Sequence, residues 1–184
     1  MDYKYFNEKQ IENAGKRVLE LHSQEYHCSE SLIRTLWPVI LPDEELTTLI
    51  KKMVMPLRGG MASTMSSHCG GLTIGLLLIG ALYGRADVKE GDAKLAPALG
   101  RRYWKMFLEE FGTSNCTLLR NGEPGPEAPT RCGCIMVRSV HLLLEFFNIL
   151  YEEQPSLETI YAYQLDRSQE PCHEQVVPLK AKEF

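Results

Sequence analysis

The chain lacks blocks of like charge. Its 20 Lys and Arg are mixed among 24 Asp and Glu, for a net charge of −4. Without a basic stripe there is no electrostatic footprint for a phosphate backbone, so nucleic acid is not an expected partner. Long hydrophobic runs are missing too. The longest, Leu72 to Tyr83, is broken by Gly75 and Gly80 and falls short of the roughly 20 apolar residues needed to span a bilayer. No membrane span is expected. The opening residues, MDYKYFNEKQIENAGKR, lack the apolar stretch of a secretory signal, which predicts a cytoplasmic setting. No segment alternates with period two, no repeat recurs, and the chain has no GK[ST], no G-x-G-x-x-G after a strand and no HExxH. It also lacks CxxC and CxxCH, which excludes a thioredoxin-type motif and covalent haem attachment.

Cysteine, by contrast, is present six times. In a reducing compartment thiols are more often metal ligands or working groups than structural staples, although a single buried cysteine is also an ordinary small core residue. With 44% hydrophobic and 24% charged residues over 184 positions, the chain has the composition of one globular domain.

Apolar spacing predicts an all-α, single-domain bundle of five or six helices. One or two helices occupy Asn7 to Ile40, with a break at the polar Ser23–His27 stretch and a stop at Pro38 and Pro42. Asp43 is a candidate N-cap for a helix through Met53. Pro56 ends that helix, and the glycine-rich PLRGGMASTMSSHCGG follows as a loop ahead of a buried helix, Leu72 to Tyr83. A further helix begins between Asp92 and Pro97 and ends at Gly112. Gly112 to Arg131 reads as a loop, Arg131 to Glu153 as the last clear helix, and Leu157 to Leu165 as a short one. The domain is assigned to 1–153, and 154–184 to a C-terminal extension that is packed on it or partly flexible.

The cysteines are scattered in sequence but not at random positions. Cys28 opens a short helix, Cys69 opens the buried helix, Cys116 follows a helix end, and Cys132 and Cys134 open the last helix. Unpaired N–H groups at a helix start stabilise a thiolate and activate the sulfur as nucleophile or metal ligand.

Four ordered landmarks resemble the family of redox-active proteins named for its C-GCAxxG-C-C motif. They are HCSESLI at 27–33, RGGMASTMSSHCGGLTIGLLLIGALYG at 58–84, FGTSNC at 111–116 and RCGCIMV at 131–137. The motif glycine five residues after Cys69 is Ile74 here, the alanine two residues after it is Gly71, and Cys172 lies outside the motif. The resemblance implies a redox role with Cys28, Cys69, Cys116 and one of Cys132 or Cys134 at one site. A similar module in the split-Soret cytochromes suggests an iron–sulfur cluster there. Gly59, Gly60 and Gly70 would make room for such a cofactor. The partner would be a redox protein, a small thiol or another electron donor, and a homodimer is compatible with the helices.

Two further readings stand beside the cluster. In a metal-free thiol–disulfide oxidoreductase, Cys69 would be the low-pKa nucleophile and Cys116 or the Cys132/Cys134 pair would resolve the mixed disulfide. A structural zinc site would draw on the same thiols, though it usually takes them as short-spaced pairs. His27 and His68 precede motif cysteines and read as ordinary exposed or core histidines. Met53, Met55, Met61 and Met65 read as filling rather than a copper(I) site, and Arg58, Arg101 and Arg102 as a solvated face rather than an anion site. Whether the chain is an enzyme stays open.

Overall fold

The structure, a computed structural model, describes residues 3–121 and 130–163. All regular structure among these residues is helical. Helix α1 (Glu8–Ser23) starts where Asn7 accepts from the Gln10 N–H at 3.0 Å and the Gln10 side chain accepts from the Asn7 N–H at 2.9 Å, a reciprocal cap that satisfies two orphan donors. The break at 23–27 is present, and α2 (Cys28–Ile40) follows. Pro38 does not stop α2 but sits inside its last turn, and the helix runs on through the fully buried Ile40.

Helix α3 (Thr48–Met53) is capped by Thr47, whose hydroxyl accepts from Ile50, and not by Asp43, which lies in the preceding turn. A 3₁₀ turn, Met55–Leu57, carries Pro56. Helix α4 (Gly70–Tyr83) begins two residues before the expected Leu72 because Cys69 itself caps it. Helix α5 (Leu95–Phe111) holds Pro97 in its first turn and ends at Gly112, which has a φ of +71°. The stretch expected to be loop contains a single-turn helix, α6 (Cys116–Arg120), capped by Asn115. Then come α7 (Arg131–Glu153) and a final single turn, α8 (Leu157–Tyr161). Of these helices only α6 lies where a loop is expected; α8 falls within the short helix expected from Leu157.

Helix α7 is the hub and packs against α1, α2, α4, α5 and α6. Its apolar stripe, with Val140, Leu143, Phe146, Phe147 and Leu150 all fully buried, forms the centre of the core. By length and composition it could cross a membrane, yet 72% of its apolar window is buried inside the domain, as in the core helix of a globular protein. Sequence inspection passes over it as a continuous run because Arg138, His141 and Glu145 interrupt it. Arg138 pairs with Glu110 at 2.7 Å and Glu145 at 3.3 Å at the edge of the bundle. Helix α4 presses into this core through Gly71 against Ser139 and Gly75 against Tyr103, positions where a Cβ would collide. The C-terminal turn is tied to α5: Arg101 donates to the Tyr163 carbonyl at 2.9 Å, and Arg102 bonds Glu153 and Tyr163. Residues 164–184, with Cys172, lie outside the described residues.

Candidate functional site

Four helix starts meet at one end of the bundle. Cys28 is the first residue of α2, Cys69 the N-cap of α4, Cys116 the first residue of α6, and Cys132 the second residue of α7. All four thiols line one cavity of about 390 Å³. None of these cysteines is in a disulfide. Cys134 is buried and is not among the residues lining the cavity. Two residues along a helix turn the side chain by about 200°, so only one member of Cys132-Gly133-Cys134 can face the site.

The walls are tied together by main-chain bonds. Segment 65–69 runs antiparallel to segment 114–117, with an isolated bridge between His68 and Asn115. The Cys69 N–H donates to Ser114 at 2.8 Å and the Cys116 N–H to Ser67 at 2.9 Å, which fixes these two cysteines side by side. The loop before them is unusual. Gly59 to Ser63 are five consecutive residues with φ between +48° and +66°, and Met65 joins them at +62°. Met61, Ala62, Ser63 and Met65 hold this left-handed conformation at a cost of order 1–2 kcal/mol per residue. The loop sets the Gly59 N–H where it favours the Cys28 thiolate. Gly60 lets the loop pass where a Cβ would stand 2.8 Å from the Cβ of Cys116, and a Cβ on Gly70 would stand 3.0 Å from the Cys28 sulfur. Of the three glycines expected at the site, Gly59 lines the cavity, while Gly60 and Gly70 stand directly behind its thiols.

The thiols differ in proton affinity. Cys28 and Cys132 are half-buried, line the same cavity and shift each other's proton affinity. The Cys132 thiol donates to Cys28 and is the main reason that Cys28 is lowered to about 6, against a burial penalty. The N–H groups of Gly59 and Ser29 and the charge of His22 assist. Cys132 is raised in turn, first by that bond and then by burial. At Cys69 burial outweighs the Gly71 N–H that its sulfur accepts at 3.4 Å, and its thiol is pushed up to about 12. The expectation of a low-pKa nucleophile at Cys69 is thus corrected. Its position at a helix start does not compensate for near-complete removal from water, and Cys28, nearer the solvent, takes the role. Burial raises Cys116 as well.

The chain matches, over residues 26–146, the family described as "Putative redox-active protein (C_GCAxxG_C_C)". It belongs to the C_GCAxxG_C_C family. No curated protein and no solved structure matches it. The matched stretch begins just before Cys28 and ends after the half of α7 that carries Cys132. As a C_GCAxxG_C_C protein it is a redox-active, all-helical protein.

Several residues at the rim escaped sequence reading. His22, from the last turn of α1, lines the cavity with its Nδ1 against the Tyr26 carbonyl at 2.9 Å. Arg120 lines it from α6, four residues after Cys116. That i, i+4 spacing puts both on one helix face, a signal unusable while this stretch read as loop. His27 and Arg58 line the cavity as well. His68 does not: its Nδ1 contacts the Ser114 hydroxyl at 3.0 Å and its ring meets Trp104 edge-on. Arg101 and Arg102 serve the C-terminal turn. Of the four methionines, Met65 alone is a lining residue, and Met53, Met55 and Met61 are exposed.

Proposed function

We propose that this C_GCAxxG_C_C protein is a thiol–disulfide redox protein in which Cys28 and Cys132 form the working pair. The observation that carries this reading is the placement of two half-buried thiols, Cys28 and Cys132, which shift each other's proton affinity in opposite directions, in one cavity of small-molecule size. The Cys28 thiolate attacks one sulfur of an incoming disulfide, and the S–S bond breaks with loss of one thiolate. The Cys132 thiol gives up its proton to that leaving group, and its sulfur then attacks the Cys28 sulfur. A second thiolate leaves and the Cys28–Cys132 disulfide remains: the protein has lost two electrons and the substrate has gained them. The reverse sequence reduces the protein with two equivalents of thiol.

An iron–sulfur cluster is the second reading, and the convergence of four cysteines on one cavity favours it. Its fit to these residues rests on the donor set: Cys28, Cys69, Cys116 and Cys132 are all thiols, two of them accept main-chain N–H bonds, and Gly60 and Gly70 keep side-chain bulk from the walls. These four would hold the cluster, which would supply one-electron transfer. A single zinc ion fits less well. Among the described residues no group of three or more His, Cys, Asp or Glu is placed to hold one metal ion, so the thiols ring a space and not a point.

One preparation tests both readings. Anaerobically purified protein is assayed for iron and sulfide, then reduced and treated with limiting disulfide, and its cysteines are mapped by mass spectrometry. A metal-free protein with one Cys28–Cys132 disulfide, and reduced-form alkylation of Cys28 with a midpoint well below the ordinary thiol value, is the expected outcome. Stoichiometric iron and sulfide would replace the dithiol reading with the cluster.

A further inference from the structure

The charge of the cavity mouth is one-sided. Arg58 and Arg120 line it together with His22 and His27, and among the described residues no Asp or Glu lines it. Three arginines elsewhere in the bundle are ion-paired: Arg17 with Glu20, Arg102 with Glu153, Arg138 with Glu110 and Glu145. Arg58 and Arg120 are not. Among the described residues, Arg58 donates to the Ser63 hydroxyl at 3.2 Å and Arg120 to the Met65 sulfur at 3.3 Å, and both partners are neutral groups that also line the cavity. Among the described residues neither guanidinium has a carboxylate partner, and together they give the described lining a positive balance in a chain whose net charge is −4.

We propose that the small molecule exchanging electrons at this site is an anionic, carboxylate-bearing low-molecular-weight disulfide, held by Arg58 and Arg120 while its sulfur meets Cys28. The inference rests on the dithiol reading and names its substrate class. Geometry favours a small molecule over the flat surface of another protein. Cys28 and Cys132 are half-buried, and Cys69 and Cys116 are buried behind them, so a disulfide must enter the recess to react. A guanidinium fork suits a carboxylate, and a carboxylate-bearing disulfide brings one on either side of its S–S bond. The exchange is the one written above: the substrate disulfide gains two electrons and leaves as two thiols, and the Cys28–Cys132 pair becomes a disulfide.

The test uses three small disulfides of like size: dithiodipropionate (anionic), hydroxyethyl disulfide (neutral) and cystamine (cationic). Each oxidises the reduced full-length protein, and each rate is divided by its rate with a free small thiol, which cancels intrinsic reactivity. At low salt the normalised rate for the anionic disulfide is expected to exceed that for the neutral one about tenfold and that for the cationic one by more. The preference should shrink at high ionic strength. Arg120→Gln and Arg58→Gln should each lower it, and Arg58→Lys should retain it, which separates loss of charge from disturbance of the loop. Equal normalised rates for the three, or a preference unaltered in both glutamine variants, overturns the inference. Failure of all three to form the Cys28–Cys132 disulfide overturns instead the dithiol reading on which it rests.

Discussion

At the scale of single residues, the same amino acid takes different roles according to what surrounds its sulfur. Cys28 and Cys69 both stand at helix starts and both receive main-chain N–H bonds, yet burial decides against the thiolate at Cys69 and the Cys132 hydrogen bond decides for it at Cys28. An N–H bond is short-ranged compensation, whereas desolvation acts on the whole charge. Cys134 is two positions from Cys132 and turned away from the cavity, so Cys134→Ala and Cys172→Ala are expected to leave the rate of Cys28 alkylation within about twofold of the parent. Cys132→Ala should slow it at neutral pH by an order of magnitude or more, because the donor that lowers Cys28 is gone. Iodoacetamide kinetics with peptide mapping checks all three. A rate in Cys134→Ala as slow as in Cys132→Ala would reassign the pair.

At the scale of elements, the glycine-rich loop before α4 is the part that departs furthest from unstrained geometry. Its left-handed residues include Ala62 at φ +48° and Ser63 at +58°, conformations that glycine adopts without penalty. Ala62→Gly removes that penalty and is expected to raise stability by about 0.5 kcal/mol, the relief being partly offset by the greater freedom of glycine in the unfolded chain. Urea denaturation with an unchanged slope and a higher midpoint would show it. A drop in stability would mean that the loop is not left-handed at this position in solution. The neighbouring Gly60 should not tolerate alanine, since its φ is +66° and its Cβ would meet both Cys116 and the Met65 backbone.

At the scale of the whole molecule, α7 joins the site to the core. The helix whose second residue is Cys132 continues through Val140, Leu143 and Phe147 into the most buried region of the bundle. A Cys28–Cys132 disulfide would tie α2 to α7 and close a loop of roughly 100 residues, which by chain entropy alone restrains the unfolded state by about 4 to 5 kcal/mol. The oxidised protein is therefore expected to melt several degrees above the reduced one, with no such difference in Cys28→Ala. Scanning calorimetry with and without reductant makes the comparison. An oxidised form that melts lower would show that the disulfide strains the bundle, and would weaken the case for this pair.

The sequence by itself determined the all-helical class and most of the helix boundaries, and it marked Cys28, Cys69, Cys116 and the Cys132/Cys134 pair as standing at or near helix ends. Helix periodicity, proline and glycine stops and capping residues are local, and the motif landmarks keep their order along the chain. Pro38 inside α2, Thr47 as the cap of α3 and the single turn at Cys116 were read differently because each depends on what the segment packs against or bonds to. Only the tertiary structure could choose Cys132 over Cys134, set Cys28 against Cys132, and bring His22, Arg58 and Arg120 to one rim. Those pairings join residues tens of positions apart. The proton affinities of these thiols follow from burial and from neighbours on other helices, and neither exists until the helices have packed.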